Sequence, residues 1–447
     1  MLNLDMDVRT PADTDWDAAR AAWNLALDQR PEAVAFPASA GEVAQVVRSA
    51  REQGLRVAAQ ATGHGAAPLA PLAGTILVKT GRMRGASVDP ERRTARVEAG
   101  AQWQDVIPLA AEHGLAALAG TAPDVGVVGY TLGGGTGWLA RRHGLAANSV
   151  TAIELVLADG SHVRADAGSE ADVFWALRGG GGAFGVVTAL EFALYPAASL
   201  YAGTMFWPWE RAGEVLHAWR EWTDTVPDEL TSLGRIVQLP PLPTVPEPLR
   251  GRSFVVVEAA FLGDEAAGAE VVAPLRSLRP EIDMVRPMAP TELHTLHNDP
   301  PVPVPGRGDG MLLGGLDAET VDAFVSVTGQ GSGSPFVGAE IRHFGGALAV
   351  APDGAGAQPT IPAPFGTFCV GIAATPEMRE AVGAHLTTTG EALAPWRSDR
   401  TFLNLADSPQ DPSVLFGAET AARLLEIKAR VDPDGLILAN HSLMPRD

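Results

Sequence analysis

The sequence predicts an α+β protein built of two bodies, and three observations carry that prediction. The chain has 447 residues, too many for one compact core. Helical and strand-like patterns interleave over residues 1–200, with glycine clusters at the strand ends. Past Pro196 the texture changes to longer strands alternating with helices, which places a second, sheet-based body at 201–395 and leaves a closing segment at 396–447.

Each element has its own signal. From Asp15 to Arg30 the pattern DWDAARAAWNLALDQR sets Trp16, Ala19, Trp23 and Leu27 at helical spacing behind an Asp or Thr cap, which predicts an amphipathic helix. Residues 33–60 read as a short strand (AVAF), a helix opening near Ser39 and stopping at Gly54, and a second strand (LRVAAQ) that runs into a loop at 61–65. Strands follow at 75–79, 94–99, 151–158 and 186–194, with helices at 102–113 and 171–177. In the second body strands are expected at 254–261, 336–342 and 367–373, and helices at 210–223, 265–277 and 376–394. Proline density makes 239–250 and 298–310 irregular loops, and the closing segment carries a helix at 417–430 followed by the extended tail DPDGLILANHSLMPRD.

Composition narrows the function. Apolar residues make up 46% and charged residues 19%, enough hydrophobic material for real cores. A formal charge of −20, with no run of Lys or Arg, repels polyanions and argues against nucleic-acid or anionic-membrane partners. The single cysteine, Cys369, lies in the strand-like FCVGI and reads as a buried, inert thiol. The opening MLNLDMDVRTPAD lacks a basic-then-apolar leader and no stretch reaches eighteen apolar residues, so a soluble cytoplasmic protein is expected. Neither the acidic balance nor the N-terminal helix sets an oligomeric state.

Three glycine-rich segments carry chemistry. The first is Gln60-Ala61-Thr62-Gly63-His64-Gly65, a turn of small residues with one imidazole at its apex, whose amides can approach a phosphate closely. The second runs from Gly120 to Trp138 and holds seven glycines: Gly120, Gly126, Gly129, Gly133, Gly134, Gly135 and Gly137. Each glycine raises the entropy cost of folding, so a large object packed against bare backbone is expected there, and a dinucleotide is such an object. The third, FWALRGGGGAFGVVTALEFAL, contains Gly180-x-Gly182-x-x-Gly185, which formally fits the nicotinamide fingerprint. That fingerprint needs a strand before and a helix after it, and here the order is reversed. A phosphate loop of the Walker type fails as well, because no Lys follows a suitable glycine.

Together the three segments, in this order, resemble the FAD-binding domain of the vanillyl-alcohol oxidase and p-cresol methylhydroxylase superfamily, in its berberine bridge enzyme-like branch. WNLALDQRPEAVAFP is similar to that family's opening, the Gly-His-Gly turn to its flavin-attachment loop, GYTLGGGTGWLARRHGLAANSV to its second FAD-binding segment, and LEIKARVDPDGLILANHSL to its closing element. The resemblance implies two α/β subdomains that hold FAD at 1–200, an antiparallel-sheet substrate domain covered by helices at 201–395, and a segment at 396–447 returning to the first. It also implies a covalent link from His64 to the flavin 8α carbon, with Gln60, Ala61, Thr62, Gly63 and Gly65 around it. By the same resemblance Gly120, Val125, Gly126, Gly129, Tyr130, Leu132, Gly133, Gly134, Gly135, Gly137 and Trp138 contact the cofactor, Val187 lies by the adenine, Asn148 near the ribose or flavin, and Asn440 near the flavin.

Departures from the family matter as much. Gln60, Ala61 and Thr62 stand where the attachment loop usually reads Arg-Gly-Gly. Ala122 stands where many relatives place a second flavin-linking cysteine, so the link would be single. Phe402-Leu403-Asn404-Leu405 replaces a segment that usually bears an active-site tyrosine, and the usual phenolate base is absent.

Hydride loss from a C–H bond to flavin is helped by a base, for which Glu340 is the candidate, while Tyr130, the one tyrosine inside a flavin motif, is the other candidate catalytic residue, either touching substrate or packing on the domain interface. Strand alternation puts Glu340 and Arg342 on one face of PFVGAEIRHFGG and His343 on the other, with Arg342 as an ion-pair partner in the alternative, structural reading of Glu340. His294 and His297 in HTLH read as ordinary polar residues, and no metal site is expected. The resemblance thus implies an FAD-dependent oxidase acting on a small organic substrate and O2, the small Val125 standing where relatives that react poorly with oxygen carry something bulkier. A flavin dehydrogenase with another acceptor, or a flavin-bearing binding protein that has lost turnover, are the alternatives.

Overall fold

The computed structural model describes residues 5–443 apart from 70, 198 and 244; the first four residues of the opening stretch and the last four of the closing tail lie outside the described residues. Three large sheets organise the chain, beside a two-stranded one formed by Leu115–Ala116 and Tyr195–Pro196. In the first, strands Val8–Arg9, Ala33–Ala35, Thr75–Lys79, Arg56–Gln60 and Ile437–Leu438 lie side by side, the inner ones parallel. Parallel neighbours need a crossover, and the helix Ala40–Glu52 supplies it, started by Ser39, whose side chain accepts from the Glu42 amide. In the second sheet Ala86–Asp89, Thr94–Glu98, Val186–Ala193, Val150–Val156 and His162–Ala165 pair antiparallel. Val43, Val46 and Val47 of the helix, Val57 and Ile76 of the first sheet, and Val97 and Ile153 of the second are buried in one core.

The third sheet is antiparallel and runs in the order Ile282–Asp283, Leu200–Pro208, Ser253–Phe261, Leu230–Gln238, Phe336–His343, Phe365–Ile372, Gly306–Leu313. Helices Ala212–Thr223, Glu265–Arg276, Ala318–Thr328 and Pro376–Ala392 cover one face, burying Trp219, Phe324, Val257 and Ile341 together with Cys369. Burial pushes the Cys369 thiol well above its ordinary pKa, so it is the inert group the sequence predicts. The other face meets the first body, where Trp138 packs on Leu233 and Ala260.

The chain end returns to the first body through a buried charge. The Lys428 ammonium donates to Asp432 and to the carbonyls of Ala183 and Ile437, while Asp432 accepts from the Leu436 and Ile437 amides at 2.8 Å. That knot fixes the turn after helix Ala418–Val431 and delivers strand Ile437–Leu438 beside Arg56–Gln60. No helix among the described residues is long and apolar enough to cross a membrane.

Two expected elements are corrected. The predicted helix from Asp15 to Arg30 ends after Trp16–Arg20, because the following residues make better tertiary contacts than a helix would offer: the Trp23 amide donates to Thr62 and the Asn24 side chain pairs with Gly306. The second proline loop is shorter than expected, since Gly306 to Gly310 already belong to strand Gly306–Leu313.

Candidate active site

The loop after strand Arg56–Gln60 holds His64 in a small aromatic and acidic clamp. Its imidazole stacks on Trp23, with ring centroids 4.4 Å apart and planes within 24°. Nδ1 lies 2.8 Å from the Thr62 hydroxyl, and Nε2 is 3.6 Å from Asp124, a charge contact too long for a hydrogen bond. The Trp23 indole N–H donates to the same carboxylate at 2.7 Å. Burial works against the charge on Asp124, but His64 and Trp23 outweigh it and hold its pKa below the usual range.

This clamp faces a second loop. A Cβ on Gly126 would come within 3.0 Å of Ala61, so the two loops approach at near backbone contact. The amides of Thr62, Gly63, His64 and Gly65 donate to no acceptor among the described residues, nor do those of Val128 and Gly129 at the start of helix Val127–Leu132. Gly129 is exposed and a Cβ there would meet nothing within 4 Å. Unsatisfied amides on facing loops make an anion cradle, and an imidazole with a free ring nitrogen stands at its lip. These residues fit the diphosphate and ring of FAD.

The other glycines of the second segment are explained by protein. A Cβ at Gly133 would sit 2.7 Å from the Asn404 side chain and one at Gly134 2.7 Å from Phe402. Gly135 is closed off by the Tyr130 ring and Gly137 by the Ala119 carbonyl. The C-terminal segment is therefore bound to this turn, with Asn404 accepting from the Gly135 amide at 3.1 Å and donating to the Tyr130 carbonyl at 3.2 Å. Asn440 reaches the Gly65 carbonyl.

Remaining predicted positions divide. Leu132 and Val187 lie in the core of the first body, and Val125 packs against it. Asn148 braces a distant loop, donating to the Pro359 carbonyl and accepting from the Gly356 amide. Gly120 abuts the Tyr130 ring, and Gln60 is buried with its carboxamide unpartnered. Around the third glycine segment, helix Ala171–Leu177 precedes and strand Val186–Ala193 follows, the order that excludes a nicotinamide fingerprint.

The Tyr130 hydroxyl donates to the Leu118 carbonyl at 3.1 Å, its ring packs beside Trp103, and burial raises its pKa, all of which favour the packing alternative. Glu340 is buried and meets Arg342 at 2.6 Å, His297 at 3.3 Å and Arg235 at 3.8 Å. Burial alone would favour its protonated form, but these cations outweigh it and bring the pKa to about 2, which makes Glu340 a poor proton acceptor. The ion-pair reading of this strand is the one the geometry favours.

Several residues of the candidate site escaped the sequence. Trp23 was absorbed into a helical pattern and Asp124 into a glycine run. His297 sits in the centre of the buried charges, 2.8 Å from Glu258, which Arg235 contacts at 2.6 Å. Glu258 and Arg235 lie in strands whose alternation, each placing one charge among apolar residues, was the available signal. Beside this cluster a cavity is lined by Thr121, Thr136, Trp138, Thr231, Leu233 and Arg342, among others.

Comparison with known proteins places these features. Residues 31–166 match the model of an FAD binding domain family. A xylooligosaccharide oxidase from Thermothelomyces thermophilus is 33% identical over 227 residues, 49% of this chain and 46% of that protein. A (R)-6-hydroxynicotine oxidase from Paenarthrobacter nicotinovorans is 35% identical over 207 residues, 46% of this chain and 45% of that one. The matched stretches thus span about half the length of these curated relatives. The solved structure of BBE-like 1 from Physcomitrella patens superposes with a TM-score of 0.85 at 19% identity, covering 99% of this chain and 98% of that one. Residues 31–166 thus match an FAD-binding domain, and the chain has the fold of the BBE-like 1 structure over 99% of its length.

Proposed function

We propose that the protein is an FAD-dependent oxidase of a small organic substrate, with one covalent flavin link through His64 and none elsewhere. The observation that carries the reading is the His64 clamp: an imidazole oriented by Thr62, Trp23 and Asp124 at the edge of two loops with free amides. The relatives named as oxidases support it. FAD, when bound, accepts a hydride from the substrate and passes the electrons to O2 as acceptor.

The chain's own residues do the rest. Amides of 62–65 and 128–129 would hold the diphosphate, and the Asp124 charge 3.6 Å from His64 Nε2 would favour a proton on that nitrogen, leaving Nδ1, beside the Thr62 hydroxyl, to bond the flavin. Residues 1–200 and 396–447 form the cofactor-holding part, and 201–395 lay the sheet over the substrate side. There Glu340 orients Arg342, and the Trp138 contact with Leu233 excludes water from the seam.

Purified protein tests the proposal. It should be yellow, keep its flavin after denaturation, lose only the covalent link in His64→Ala, and release H2O2 under air with a reducing substrate. Turnover that proceeds with an artificial acceptor yet makes no peroxide would point to a dehydrogenase, and a colourless protein would end the flavin reading.

A further inference from the structure

The cavity beside the buried charges is lined by a guanidinium and an indole, which only donate, together with hydroxyls and apolar side chains. Leu233 and Arg342 are cross-strand partners, so they share a face with Thr231, and that is the face on which Trp138 packs. The Trp138 indole nitrogen and the Thr231 hydroxyl are enclosed and have no partner. An indole N–H has no acceptor capacity, so only an incoming acceptor can satisfy it. Arg342 turns its Nε toward Glu340, and its two terminal nitrogens donate to no acceptor among the described residues.

Glu340 is shared by Arg342, His297 and Arg235, and the charge of Asp299, which accepts from the Thr121 hydroxyl at 3.4 Å, also acts on Arg342, but neither carboxylate takes a hydrogen bond from the terminal guanidinium nitrogens. No Asp or Glu lines the cavity, and its remaining walls include Leu233, Phe344 and Leu348. A guanidinium with a free edge, two further donors and an apolar surround match a carboxylate on a hydrophobic body.

We propose that this cavity is a carboxylate subsite, with Arg342, Trp138 and Thr231 as its donors. The proposal rests on the oxidase reading above and narrows its substrate to an organic acid. Neutral polyols would leave the guanidinium edge without an anionic partner.

The test is binding of acetate, benzoate and phenylacetate, each against its amide, followed by ligand-detected NMR on the protein as purified. The acids should bind saturably and more tightly than their amides, and Arg342→Gln should weaken them about tenfold or more. Because Arg342→Gln disturbs a buried pair, Thr231→Val serves as the second variant: it keeps the shape and should weaken the acids while leaving the amides less affected. Equal binding of acids and amides, no acid binding at all, or acid binding untouched in both variants overturns the subsite. Flavin absorbance is read on the same samples. Arg342-dependent acid binding in a colourless protein sinks the oxidase reading alone, and a yellow protein indifferent to acids sinks this proposal alone.

Discussion

The indole of Trp23 lies against the imidazole of His64 and also holds Asp124, the carboxylate that His64 faces. One tryptophan thereby sets both the plane of the ring and the position of its charge partner. Replacing Asp124 by Asn keeps the shape and removes the charge, so attachment of flavin to His64 should slow by about a hundredfold while noncovalent FAD still binds. Trp23→Phe, which keeps the stack and loses the hydrogen bond, should fall between. The fraction of flavin retained after acid precipitation, followed with time after adding FAD to apoprotein, reads the effect; equal rates in wild type and Asp124→Asn would remove Asp124 from the chemistry.

Two glycines of the second segment should part company. A Cβ at Gly137 would collide with the Ala119 backbone, which cannot move aside, so Gly137→Ala is expected to cost about 3 kcal/mol or more. Gly129 lies in a helix with open space around it, and Ala there should leave the fold intact or stabilise it by up to about 1 kcal/mol. If the cofactor covers Gly129, the same substitution weakens FAD retention. Urea melts and flavin content of the two variants separate the cases, and unimpaired FAD content in Gly129→Ala would move the cofactor off that face.

That contrast shows what the sequence could tell. Glycine density marked the right segment, but density does not distinguish backbone bared for a ligand from backbone bared for Asn404, Phe402 and the Tyr130 ring. The α/β unit at 33–60 was legible because its signals are local: a serine cap, a helical apolar stripe, and a glycine just beyond the end. The stretch after Arg20 misled because its apolar period is helical, while the energy that decides its path comes from Thr62, Asp124 and Gly306, far off in sequence. His297 was passed over for the same reason, since nothing local announces that Glu258 and Glu340 converge on it.

The buried pair of Glu340 and Arg342 gives a pH signature. Glu340 has its pKa brought down to about 2 from 4.5, so the stability it contributes is present above about pH 4.5 and is lost as pH falls toward 2. The shift corresponds to about 3 kcal/mol. Glu340→Gln should destabilise the protein by about 3–5 kcal/mol at neutral pH by leaving Arg342 buried without its partner, and should flatten the acid limb of the stability curve. A variant whose acid limb stays as steep as wild type would show that another carboxylate controls it.

Asp407 should behave in the opposite sense. It follows the Phe402–Leu405 turn, its amide donates to Asp309 at 3.1 Å, and burial together with the Asp309 charge pushes its carboxyl up to about 7. A folded pKa above the unfolded value means stability that is full below about pH 4 and lost as pH rises through about 7. Asp407→Asn mimics the protonated form, so it should change little at or below about pH 4, gain progressively from there to about pH 7, and reach about 1–2 kcal/mol at pH 8, a figure kept small because the residue is only half-buried. Melting temperatures of wild type and variant across that range decide it: parallel curves would mean that Asp407 is ionised throughout, and that Asp309 is no neighbour of consequence.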